Sequence, residues 1–206
     1  MSHRVIGFID GENLVLRCKD MLNDGYVLKP DSVFMEDQFI WNPAITNFYL
    51  GDYHRLNYYQ TVVGDAEKLE SLAEIIASQR SKYVEAGGVM GSLSVRPRLF
   101  KKERRSSKTK SVDINLTVDV MRHAFDSRFD VLLIASGDGD YIPLVEEVSR
   151  LGKQVWIAAF SKGLSPRLRY AADEFIDLDQ LIFEPKFEGI LPEGNGMLEP
   201  AVGIQQ

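Results

Sequence analysis

Four short apolar runs punctuate the chain: "VIGFI" (5–9), "NFYLGDY" (47–53), "VLLIA" (131–135) and "VWIAA" (155–159). Each is rich in β-branched or aromatic residues and bounded by polar or glycine positions, so each predicts a strand. Helical periodicity fills the intervals, over 66–86 ("AEKLESLAEIIASQRSKYVEA"), about 112–126, and 141–151. Ser165 followed by Pro166 has the form of an N-cap and first helical position. It opens a last helix to about Ala172, with "EFIDL" as a short final strand. Strands apolar on both sides, alternating with helices, predict an α/β fold whose mostly parallel sheet is covered on both faces.

Two regions fit this alternation less directly. Residues 23–44 contain a helix-like pattern around Asp31–Ile40, expected as an insertion after the first helix. Residues 89–110 predict a strand or hairpin arm that runs into a basic segment. The tail from 185 to 206, with its glycines and prolines, reads as a loosely held extension to one domain spanning 1–184. No internal repeat is evident.

Composition narrows the class. A chain of 206 residues with 45% hydrophobic and 26% charged residues is ordinary for a globular protein. No apolar run approaches the roughly 18 residues of a membrane span. The start "MSHRVIGFID" enters a strand without the apolar stretch of a signal peptide. One cysteine, Cys18, allows neither an internal disulfide nor a cysteine-based zinc site. A cytoplasmic setting is expected, without a membrane. The net charge of −6 is unevenly spread. "RPRLFKKERRSSKTK" (96–110) holds eight basic residues against one glutamate, +7, so the rest of the chain carries −13. Such asymmetry predicts one surface for anions and another for cations.

The candidate chemistry lies at strand ends. In open α/β sheets, ligands bind outside the carboxyl ends of the strands. "VIGFIDGEN" puts Asp10 just after one strand and Asn13 early in the next helix. "VLLIASGDGDY" puts Ser136, Asp138 and Asp140 after another. Asp113, in "KTKSVDINLTVDV", opens a helix, and Asp119 follows six residues later, about 600° around the helix and so off the face of Asp113. Carboxylates converging on one sheet edge repel one another, and a hard cation such as Mg²⁺ or Mn²⁺ relieves that repulsion through oxygen ligands. Such a cation can position a water and stabilise charge on a phosphodiester oxygen. Glycines 137 and 139 are expected to let the backbone turn so that both aspartates point inward.

Each signal also has a plainer explanation. An aspartate after a strand is often a helix cap, "SGDGDY" could be a solvated turn, and Asp113 could simply favour the helix dipole. A charge run such as 96–110 is usually a solvated loop. Three independent loops delivering carboxylates to one predicted edge are harder to explain that way. No phosphate-binding G-x-x-x-x-G-K-[ST] loop, G-x-G-x-x-G or G-x-S-x-G is present, and "DGDYIP" lacks the ligands of an EF-hand. His3, His54 and His123 have no metal-ligand spacing, and Cys18 reads as core.

The segments "FIDGENL", "KSVDINLTVDVM", "VLLIASGDGDYIPLVEEVSRLGKQVWIAAF" and "LSPRLRYAADEFIDL" resemble the successive motifs of the NYN domain family, in the LabA-like branch of the PIN-like nucleases. The resemblance covers roughly residues 4–182. It implies a PIN-like three-layer α/β/α sandwich and an acidic site holding Mg²⁺ or Mn²⁺, usually associated with RNA cleavage. It places that site on Asp10, Asn13, Asp113, Asp138 and Asp140, with Ser136 in support, Asp119 as a later helical acid and Lys110 toward the substrate. Ser111 stands where many relatives have glycine. Within the basic segment, Lys101, Lys102, Arg104 and Arg105 are expected to draw in nucleic acid, RNA rather than DNA. Two alternatives stay open: a binding or regulatory module with little turnover, and a phosphatase of the haloacid dehalogenase type. That phosphatase needs a second aspartate two positions after the first, where this chain has Glu12, and Leu14 replaces its usual Thr or Val.

Overall fold

The protein is described by a computed structural model over residues 3–46, 51–84, 88–102 and 111–185. Strand β1 (His3–Asp10) leads directly into helix α1 (Gly11–Asn23). A small antiparallel hairpin follows, β2 (Val33–Met35) and β3 (Phe39–Trp41). Then come β4 (Gly51–Val63), α2 (Ala66–Ser78), β5 (Arg80–Val84) and β6 (Met90–Lys102). The second half alternates α3 (Ser111–Ala124), β7 (Val131–Ala135), α4 (Ile142–Arg150), β8 (Gln154–Ala159), α5 (Pro166–Ala171), β9 (Glu174–Asp177) and α6 (Leu178–Ile182).

Seven strands form one sheet in the order β5-β6-β4-β1-β7-β8-β9. All pairings are parallel except β5 with β6. Chain order runs outward from β1 to β4 and β6, then returns to β7 on the other side of β1. The gap between the carboxyl ends of β1 and β7 is therefore the topological switch point, where the two following loops diverge and leave a crevice.

Two apolar layers sandwich the sheet. One face carries Val5, Ile9, Leu14, Cys18, Tyr58, Leu72, Ile76 and the hairpin's Phe39 and Trp41. The other carries Ile6, Phe8, Val112, Leu116, Val120, Ile134, Tyr141 and Val145. The alternation of Ile6 and Phe8 with Val5 and Ile9 between the two layers is the period-2 signature of a strand buried on both sides. The result is a PIN-like α/β/α sandwich. Among the described residues, no helix is long and apolar enough to cross a membrane.

Four expectations need correction. Asp31–Ile40 is a hairpin rather than a helix: Asp37 takes a left-handed φ of 58°, which turns the chain back, and Phe39, Ile40 and Trp41 are buried in succession. The helix predicted over 66–86 stops at Ser78, because Gln79 is extended and Arg80–Val84 pairs with β6. The strand predicted at 47–53 runs much further, over Gly51–Val63, while 47–50 lie outside the described residues. "EFIDL" gives β9, the final strand as expected, but the helix opened at Ser165 and Pro166 is not the last, because α6 follows β9. The arm predicted over 89–110 is β6 as far as Lys102. The tail beyond 185 lies outside the described residues.

Candidate active site

Asp10 is the last residue of β1 and is only 3% exposed. Its two oxygens have different tasks. Oδ1 accepts from the backbone N–H of Asn13 at 3.1 Å, capping α1. Oδ2 accepts from the Ser136 hydroxyl at 3.1 Å and from the Tyr141 hydroxyl at 3.3 Å. One side chain thus both caps α1 and gathers two hydroxyls from the neighbouring loop.

Register explains why Ser136 is in reach. Ile9 pairs with Ala135, so the residues following them stand side by side at the switch point. Asn13 then ties the two loops together: its Oδ1 accepts from the N–H of Gly137 at 3.1 Å. Ser136 Oγ also accepts from the N–H of Asp138 at 3.2 Å.

The third strand-end acid arrives on α3. Asp113 lies in the first turn of that helix, and its Oδ1 accepts from the Tyr141 hydroxyl at 3.4 Å. One phenol therefore stands between two carboxylates brought from β1 and α3. Burial, followed by the charges of Asp10 and Asp113 and then Asp138, pushes the Tyr141 hydroxyl far above its ordinary value. It stays protonated, with one hydrogen to share between the two acids. Burial pushes the Asp10 carboxyl up to about 7, and the charges of Asp113 and Glu12 act the same way. The hydrogen bonds from Asn13 and Ser136 favour the anion but do not outweigh burial.

Asp138 is partly exposed at the rim, its Oδ1 accepting from the N–H of Asp140 at 2.9 Å. Asp140 is exposed, in a short 3₁₀ turn over Gly139–Tyr141. Neither glycine of "SGDGDY" has a left-handed φ, so turn handedness is not their purpose. They allow close approach: a Cβ on Gly137 would lie 3.2 Å from Cα of Leu164, and one on Gly139 3.0 Å from Oγ of Ser165.

Asp119, further along α3, has other hydrogen-bond partners than these acids. Its Oδ2 accepts from the Tyr59 hydroxyl at 2.9 Å, and its Oδ1 from Arg122 at 3.2 Å. Lys101 is exposed and Lys102 half-buried at the end of β6. Arg104, Arg105 and Lys110 lie outside the described residues. Cys18 is buried, and burial pushes its thiol up to about 12, so it is core and not a nucleophile.

Tyr141 was missed in the sequence. The signal available was a tyrosine directly after "SGDGD" on a core-facing position, since a buried phenol needs a polar partner. Gly11 was passed over as well. A Cβ there would meet Cε1 of Tyr58 at 2.4 Å and the carbonyl oxygen of Tyr59 at 2.7 Å. Because a backbone atom blocks it, Gly11→Ala is expected to cost about 1–3 kcal/mol in a urea unfolding titration. An unchanged midpoint would show that α1 can move away from β4 freely.

All the converging donors are oxygens, the chemistry preferred by a hard divalent cation. Among the described residues, no three His, Cys, Asp or Glu side chains are gathered into a ready-made metal cage. The residues present still fit a cation: a buried carboxylate that resists ionisation, a second carboxylate across a shared phenol, and a third at the rim.

A solved structure of a protein of unknown function from Vibrio parahaemolyticus is similar to this chain, with 19% identity and a TM-score of 0.58. The match covers 89% of this chain and 97% of the other, which supports the fold alone. No match was found among curated proteins. A family model described as NYN domain matches residues 4–179, from β1 to the start of α6 and through every loop of the aspartate cluster. The chain belongs to the NYN domain family.

Proposed function

We propose that this protein is a divalent-metal-dependent nuclease that hydrolyses phosphodiester bonds, in RNA rather than DNA. Membership of the NYN family supports a nuclease-like function. The observation that carries the proposal is the meeting of Asp10 and Asp113 on the Tyr141 hydroxyl at the switch point of the sheet. A purely structural role does not call for two carboxylates in that position, one of them buried against its own charge.

Asp10, Asp113 and Asp138 would hold Mg²⁺ or Mn²⁺, with Asp140 adding negative charge at the rim. The ion would supply charge stabilisation at the scissile phosphate and activation of water for attack. Asn13 fixes the distance between the two loops. Ser136 and Tyr141 donate to Asp10 and keep its second oxygen turned into the crevice. The basic residues Lys101, Lys102, Arg104, Arg105 and Lys110, on or after β6, would offset the repulsion between this acidic pocket and a polyanion. A cytoplasmic setting suits the single buried thiol.

The test is incubation of pure protein with labelled single-stranded RNA and DNA in Mn²⁺, Mg²⁺ or EDTA. Chain cleavage in metal, abolished by EDTA and faster on RNA, is expected. Release of phosphate from small esters without chain cleavage would place the chemistry with phosphatases. Binding without cleavage in any metal would leave a nucleic-acid-binding module.

A further inference from the structure

The side of β4 and β6 that faces α3 carries a concentration of arginines that the aspartate cluster does not use. Tyr59 on β4 and Arg98 on β6 reach Asp119 of α3, the arginine at 4.0 Å, so both point to this side. Arg55 on β4 does too, with Nη1 3.5 Å from Nε2 of His123. Strand alternation puts Arg96, Arg98 and Phe100 on the same side of β6, about 6.6–6.8 Å apart. Phe100 packs into the apolar layer beneath α3, while Arg96 and Arg98 are exposed.

The charges in this patch do not cancel. Asp119 is shared between Arg98 and Arg122, and Asp126 is engaged by Arg128. Arg55 and Arg96 have no carboxylate of their own among these pairs. Burial and then the charges of Arg96, Arg98 and Arg128 hold the Arg55 guanidinium below its usual value. His123, lowered by burial and by Arg55, is a neutral acceptor and no counter-charge.

Register fixes where the patch lies. Asp10 pairs with Tyr59, and Tyr59 with Arg98, so Arg98 stands in the same row as Asp10, two strand spacings or roughly 9.5 Å away. Helix α3 lies over β1 and β4 between them, with Asp113 in its first turn. A chain laid along the arginines would round the start of α3 to reach the aspartates.

We infer that Arg55, Arg96 and Arg98 form a track for the phosphodiester backbone of a single-stranded nucleic acid, flanking α3 and ending at the aspartate cluster. The regular spacing along an open strand suits a repeating anion, and Phe100 offers a partly buried ring beside it. What the track delivers to rests on the nuclease proposal; the binding itself does not.

The test is fluorescence anisotropy with a labelled 12-nucleotide single-stranded RNA at several salt concentrations. The protein is the Asp138→Asn form, so that the probe is not cut. Replacing Arg55, Arg96 and Arg98 together by glutamine should weaken binding and make the slope of log K against log salt shallower by about 2, at about 0.7 per phosphate contact. Replacement by lysine should keep most of the slope, because point charge suffices for phosphate. An unchanged affinity and slope in the glutamine form overturns the track, as does equal loss in the lysine form. Polyglutamate binding as tightly as RNA, with the same arginine dependence, would also overturn it by indicating an acidic protein partner. Wild-type cleavage combined with an unchanged glutamine form rejects the track and keeps the nuclease. Arginine-dependent binding with no cleavage in any metal does the reverse.

Discussion

Asp10→Asn is expected to abolish metal-dependent hydrolysis and, without metal, to make the protein more stable. The loss of rate, at least about 100-fold, is what removing an electrostatic contact to a developing charge typically costs. The gain in stability follows from burial. The carboxyl of Asp10 is raised from 3.8 to about 7 in the folded chain. A group whose folded pKa is raised binds a proton on folding, so its favourable contribution is complete below pH 3.8 and is lost as pH rises through 7. Over that window the loss is on the order of 4 kcal/mol. Asparagine has no such penalty, and its amide oxygen can still cap α1. In EDTA at pH 8 the variant should therefore melt roughly 8–16 °C above wild type, with the difference shrinking toward pH 4. Divalent cation should raise the wild-type melting temperature and leave the variant unmoved. A variant less stable than wild type at pH 8 in EDTA would mean that the Asp10 charge is compensated within the chain.

Asp138→Asn should lose activity equally while leaving stability nearly untouched. Asp138 is partly exposed, and among the described residues its side chain accepts one hydrogen bond, from the N–H of Asp140. Asparagine can accept that bond with its own oxygen, so the melting temperature should shift by no more than about 0.5 kcal/mol would cause. A neutral amide is a poorer ligand for a hard cation, and the negative charge at the rim is gone. The expected result is a fall of at least about 100-fold in cleavage at saturating RNA. Full metal-dependent activity in a normally folded Asp138→Asn protein would remove this residue from the site.

Strands buried on both faces were legible because their apolar runs are unbroken. "VLLIA" is β7 to the residue, and "VWIAA" is β8 less one. Most of β4 was not legible because Asn57, Gln60 and Thr61 are buried in it and interrupt the apolar pattern. The hairpin at 33–41 was mistaken for a helix because its turn depends on a left-handed aspartate rather than a glycine. The meeting of Asp10, Asn13, Ser136 and Asp138 was legible because all four stand at or just after the ends of neighbouring strands. Tyr141 could not be assigned locally, since its acceptors lie 131 and 28 positions away in the chain. The arginine patch was equally hidden. It combines a strand the apolar pattern did not show with one face of another, and only the pairing of β4 with β6 unites them.

The most direct measurement is a time course of one labelled single-stranded RNA with wild type and Asp10→Asn in parallel, each in Mn²⁺ and in EDTA. Wild type in Mn²⁺ should cut the RNA. The other three reactions should leave it intact, although the variant still binds it. Cutting by wild type in EDTA, or by Asp10→Asn in Mn²⁺ at the wild-type rate, would contradict a cation-dependent site built on Asp10.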